Sequence, residues 1–424
     1  MESLSSFYSF DRVKKVVNPP CYKMFIVCVL ALLFGLQPAW ADEREQAKRI
    51  HDRLTGTPPT DAVLDEMVTL IQTDSAEAAA LYAIDGDGSA PNIGFYNVML
   101  KNWAMPWTNR DFDVFQPLND YVATIIGMVR DERDFREILY ADVLYEGAGG
   151  HNPNSNQHYE NLESSGANLG DPAVMSPTPQ AGVTGIDAAG AAGIFTSRAA
   201  AKSFFILGTN RAMFRFTLVN HLCTDLEQLQ DGTRPSDRIR QDVSRSPGGD
   251  STVFLNNCVT CHSGMDPLAQ AFANYEYEFT NDDPDTGRLI YTPGFVQDKY
   301  HNNDATFKYG YVTPNDHWSI YWRLGPNSEK IGWLNPAANS GSIDLALDPA
   351  IAEGDGAATM GQELANTEAF AYCQVKKAFS AVCLREPVEG TDTGFINSTV
   401  NSFKSGYSMK NVFAGVAAHC ASDL

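Results

Sequence analysis

A mainly α-helical chain with a cysteine-bearing central segment set between helical domains is the fold the sequence predicts. Three observations lead there. Apolar residues recur at three- and four-residue spacing in the N-terminal third, the same spacing resumes over Ser197–Leu229, and a compact Cys-x-x-Cys-His motif lies between short stretches with helix-start chemistry.

The first boundary is an apolar stretch from Met24 to Leu36, preceded by Lys14, Lys15 and Lys23 and followed by Ala39-Trp40-Ala41. That pattern reads as a secretory signal over residues 1–41, cleaved after Ala41. The stretch is too short for a permanent bilayer span, and neither Cys21 nor Cys28 has the context of a lipidated cysteine, so no membrane anchor is expected. A periplasmic or secreted protein follows. The chain carries a net charge of −21, and loss of the leader removes more basic than acidic residues. So acidic a surface repels nucleic acid and anionic lipid and steers a basic partner. With 11% aromatic residues the chain is globular, and the ~380 residues after the leader suffice for two or three cores.

Residues 42–146 read as an N-terminal helical domain, on the spacing of Val63, Met67, Leu70 and Ile71 and again of Ile125, Met128 and Val129. Residues 147–196 are rich in Gly, Asn, Pro, Ser and Ala without a period and read as a loop, linker or lid. A helical segment over 197–250 breaks at Gly232–Gly249, a domain that carries the Cys-x-x-Cys-His motif and an insertion spans 251–355, and a C-terminal helical domain closes the chain over 356–424.

The haem assignment rests on Cys258-Val259-Thr260-Cys261-His262. Two thiols at this spacing add to the two vinyl groups of one haem, and the adjacent imidazole becomes the proximal iron ligand. Covalent attachment requires export, which the leader indicates independently. A thioredoxin-like pair or half a zinc site is disfavoured, because no βαβ pattern surrounds the motif and no second close Cys or His pair completes a tetrahedral set. One haem c per chain is expected, at Cys258 and Cys261, with His262 on the iron. Ser251 is expected to cap a short helix that delivers the cysteines, and Asp266 to cap a second helix with Pro267 in its first turn and Leu268, Ala271, Phe272 and Tyr275 on one face.

For the sixth iron position the sequence offers Met360, His301, His317 and Met409; Met265 lies on the proximal side and reads as packing. Met360 is favoured because the Gly354–Gly356 segment before it is flexible, and a first-turn core role is its alternative. Cys223, Cys373, Cys383 and Cys420 remain, an even number in an oxidising compartment. If Glu363–Leu384 is one continuous helix, Cys373 and Cys383 stand about 15 Å apart and cannot join. The expected bridges are Cys223 with Cys373 and Cys383 with Cys420, the alternative being four buried free thiols. Two further patterns are set aside. Asp85-Gly86-Asp87-Gly88-Ser89 begins like a calcium loop but has Tyr96, not Glu, at its twelfth position, and His151 and His158 are loop histidines without a metal-site frame.

Residues 258–268, Cys258 through Leu268, continuing to Phe272-Ala273-Asn274-Tyr275-Glu276, resemble the attachment motif of planctomycete-type cytochrome proteins, exported multidomain chains of unassigned reaction. Glu363-Leu364-Ala365, Phe370, Cys373-Gln374-Val375, Leu384-Arg385, Gly406-Tyr407 and Lys410-Asn411 are similar to that family's closing helical domain, and Leu54–Thr60 to a segment near its start. This sequence departs from the pattern at Ala269-Gln270-Ala271 and in a longer Tyr291–Asn339 stretch. The resemblance implies a cytochrome c-like haem segment embedded between helical domains.

Electron transfer by a monohaem carrier is therefore the leading expectation, with a redox partner protein presenting a basic docking face. One alternative is a haem enzyme with an open iron site beneath the 147–193 loop, acting on peroxide, a small organic molecule or a polymer. The other is a haem-bearing binding or scaffold subunit. No catalytic side chain is assigned.

Overall fold

The computed structural model describes residues 43–422 apart from 89–90, 207–209, 239–250, 301–310 and 334–351. The expected leader and its cleavage site, His301, most of the Gly232–Gly249 break and parts of the Tyr291–Asn339 insertion lie outside the described residues.

Helix formation at the N-terminal end follows the apolar spacing and its caps. Asp61–Thr73 starts at Thr60, whose side chain accepts the amide of Val63, and Ala76–Asp85 starts at Ser75, which accepts that of Ala78. Both pack with Glu43–Thr55, and the last helix, Met409–Ser422, lies against Glu43–Thr55 and Ala76–Asp85, so the two ends of the described chain share one core. Lys410 fastens this contact, its ammonium donating to Asp85 at 2.7 Å and to the Arg130 carbonyl at 3.1 Å. The calcium-like turn is thus structural: Asp85 also accepts the hydroxyl of Tyr96, the residue at the twelfth position, at 2.6 Å.

Asp120–Arg130 is buried along its whole length, with Asn119 as its cap. Its Asp120 carboxylate accepts the amides of Arg198 and Ala199 and so holds the start of the helix Arg198–Phe204. Strand Leu144–Gly147 runs beside Asp120–Arg130 and pairs antiparallel with Met175–Thr178. The segment expected to be a linker or lid is therefore built into the fold. It carries the strand Met175–Thr178 and the helices Gln157–Ser164 and Gln180–Thr184, and it buries Tyr159, Leu169, Met175, Ile194 and Phe195. The described residues from Glu43 onward fall in one compact unit.

Among the remaining described residues the structure is mainly helical, with two more antiparallel pairs of short strands: Tyr275–Thr280 with Asp283–Tyr291, and His317–Ile320 with Ala352–Asp355. Two expectations are corrected here. Tyr275 opens a strand instead of continuing a helix face, although Leu268, Ala271, Phe272 and Tyr275 are all fully buried. Glu363–Leu384 is not one helix. Gly356–Ala365 ends, and Glu368–Cys383 begins at Thr367, whose hydroxyl accepts the Phe370 amide at 3.1 Å.

Cys223 is bonded to Cys373 and Cys383 to Cys420, with Cα separations of 5.3 and 5.5 Å. These are the two pairs the sequence reading selects. They tie Arg211–Leu222 to Glu368–Cys383, and Glu368–Cys383 to Met409–Ser422. Arg211–Leu222 in turn packs on Val259–Ala269, the helix that carries the Cys-x-x-Cys-His motif.

Candidate metal centre

The motif begins where the backbone changes its winding. Ser251–Val253 forms an α-turn, Phe254–Cys258 a π-helical turn and Val259–Ala269 an α-helix. π-Turns of this kind concentrate at functional positions because they re-aim the side chains that follow. The motif helix passes through Pro267 without a break, so Asp266 does not cap a new helix, as the Asp-Pro pair suggests. Its carboxylate has other partners.

Cys258 and Cys261 are both half-buried and unbonded, and among the described cysteines they are the only two outside a disulfide. The Cys261 sulfur lies 3.6 Å from the Leu226 carbonyl, and burial pushes its thiol up. His262 follows, its side chain 24% exposed, with Nδ1 3.1 Å from both oxygens of Asp266 one helical turn on. Arg211 grips the same carboxylate in a two-pronged pair, Nε to Oδ1 at 2.8 Å and Nη2 to Oδ2 at 2.9 Å. Burial opposes ionisation of Asp266, but the charge of the Arg211 guanidinium and the hydrogen bonds from His262 and Arg211 outweigh it and hold the carboxyl below its usual range.

Paired with the Arg211 guanidinium, the Asp266 carboxylate accepts hydrogen bonds, so Nδ1 of His262 is the donor, and a metal would be bound through Nε2. A coordinating histidine with this carboxylate behind it has the supporting partner such ligands regularly carry. Tyr300, buried beside Arg211 and Asp266, has a hydroxyl with no hydrogen-bond partner among the described residues. On the opposite side of the helix the Trp322 indole lies against Gly264, where a Cβ would stand 2.0 Å from the ring. The residues present fit a covalently held haem: two unbonded thiols, an adjacent imidazole and a buried carboxylate facing its Nδ1.

The other expected residues lie elsewhere. Met265 is buried, as a packing residue should be. Met360 is completely buried in Gly356–Ala365, a helix packed on Phe135–Leu139 and Gln270–Phe272. Met409 is buried at the start of the last helix, and His317 stands between Asp355 at 2.9 Å and Glu353 at 3.3 Å. His158 accepts the Gly147 amide, and His151 lies against Tyr159. Among the described residues no cluster of three or more His, Cys, Asp and Glu side chains forms a ready-made metal cage. Sequence reasoning missed Arg211 and the role of Asp266. The four-residue step from His262 to Asp266 was the signal available for the latter, whereas nothing local points to Arg211.

No protein-family model, no curated protein and no solved structure matches this chain.

Proposed function

We propose that the chain is an exported monohaem c-type cytochrome that transfers electrons through a haem bound covalently at Cys258 and Cys261, with His262 on the iron. The observation that carries this reading is the contrast among the cysteines. Four pair into disulfides, while the two at haem-attachment spacing stay unbonded next to a histidine whose Nδ1 is already engaged. The bound haem supplies one-electron chemistry. The chain's own residues supply two thioether anchors, one axial ligand and the charge behind it.

Disulfides fit an oxidising compartment, and among the described residues no helix is long and apolar enough to cross a membrane. A periplasmic or secreted setting and a redox partner with a basic docking face belong to the same proposal, the second supported by the net charge of −21. The likeness of residues 258–268 to planctomycete-type cytochromes supports the cofactor and leaves the reaction open. Full burial of Met360 favours its core role, and with it the second reading, a haem enzyme with an open sixth position.

The test is a pyridine haemochrome assay with oxidised and reduced spectra on the chain co-expressed with a c-type maturation system. One covalent haem per chain is expected, Cys258→Ala and Cys261→Ala each losing one thioether and His262→Ala losing normal ligation. A low-spin spectrum supports the carrier and a high-spin, ligand-accessible one the enzyme. Absence of covalent haem would falsify both.

A further inference from the structure

We propose that Asp266 sets the electron-donating strength of His262 and that Arg211 limits it, so that this buried pair fixes the reduction potential of the haem. The inference rests on the haem reading above and adds a positioning residue and its regulator to it.

Geometry supports each step. Asp266 sits one turn beyond His262 on the same helix, so the motif helix itself sets their spacing. Both carboxylate oxygens are 3.1 Å from Nδ1, and the residue is 5% exposed, so its charge acts through little solvent. A carboxylate accepting the Nδ1 proton draws the imidazole toward imidazolate and raises its basicity as a ligand, more than a neutral carbonyl acceptor does. A more basic ligand stabilises the oxidised iron and lowers the potential. Arg211 acts on the same two oxygens in the opposite sense, because its guanidinium withdraws negative charge that would otherwise bear on His262.

Two substitutions therefore shift the potential in opposite directions. Asp266→Asn keeps size and one acceptor oxygen but removes the charge, and the potential rises. Arg211→Gln keeps the carboxylate and frees it, and the potential falls. A role confined to packing would loosen the haem surroundings in both variants and move them the same way.

The experiment uses the full chain with its haem attached. A haemochrome assay on wild type and variants first establishes attachment, and spectroelectrochemical titration at pH 8 then gives midpoint potentials. Asp266→Asn is expected to change the oxidised-to-reduced ratio at a fixed potential at least tenfold, a rise of about 59 mV for one electron. Arg211→Gln is expected to shift downward, and it carries the sign alone if Asp266→Asn does not fold. Unchanged potentials, or shifts of the same sign in a wild type that does bind haem, overturn the role of Asp266 and leave the haem reading standing. A wild-type chain without haem overturns both.

Discussion

Asp392 lies at the turn between Leu384 and the helix Thr393–Phe403, and its side chain is 1% exposed. Arg385 donates to both of its oxygens, at 2.5 and 3.1 Å, and the Val388 amide donates at 2.7 Å. These bonds, Arg385 first, hold the carboxyl well below its ordinary range. A carboxyl with a depressed folded-state pKa favours folding above its unfolded value of about 3.9, and the contribution disappears as pH falls toward the folded value. Asp392→Asn is therefore expected to lower stability at pH 7, with the gap from wild type narrowing steadily below about pH 4. Urea unfolding at a series of pH values measures that gap. A gap that stays constant into acid would show that Asp392 acts through shape and not charge.

Between elements, the closest approach at the motif helix is that of Trp322 to Gly264. An added methyl at 264 must displace a ring that is itself 1% exposed, and overpacking of this kind costs about 1–3 kcal/mol. Gly264→Ala should lower the urea midpoint accordingly, and combining it with Trp322→Leu should recover part of the loss. Additive losses in the double variant would mean that the two residues do not meet. The same elements show what was legible in the sequence. Asp61–Thr73 and Asp120–Arg130 could be read because their apolar residues repeat at helical spacing behind a polar cap. The motif could be read because its chemistry is local. The Asp266-Pro267 step was misread because a helix start and a buried acceptor use the same residue type, and only Arg211, 55 residues away, decides between them. Residues 147–193 were misread for a related reason. Their order comes from side chains elsewhere that satisfy their backbone: Asn97 bonds the Ala167 carbonyl and the Leu169 amide, and Arg130 bonds the Met175 carbonyl. Composition alone shows the Gly and Asn of this segment but not the partners that hold it. Within 363–384, Thr367 was a cap in plain view, outweighed by an apolar pattern that runs across it.

Across the whole molecule, the two disulfides do unequal work. Cys223–Cys373 spans 150 residues and encloses the motif helix, both hairpin strands from Tyr275 to Tyr291 and the Trp322 contact. Cys383–Cys420 spans 37 residues and joins neighbouring helices of the C-terminal region. A cross-link stabilises chiefly by restricting the unfolded chain, and the restriction grows with the logarithm of loop length, so the longer bridge should contribute about 1 kcal/mol more than the shorter one. Both bridges restrain one unfolding unit, because the described residues from Glu43 onward fall in one compact unit. Cys223→Ala/Cys373→Ala should therefore unfold at lower urea than Cys383→Ala/Cys420→Ala under non-reducing conditions, measured with and without haem attached. Cys373 is fully buried and Cys383 is 7% exposed, so the cavities left by the two double substitutions differ little, and loop length remains the main difference. If the short-loop variant proves the less stable, the clamp between Glu368–Cys383 and the last helix governs stability. The joined ends of the chain, rather than the frame around the motif, would then be where unfolding begins.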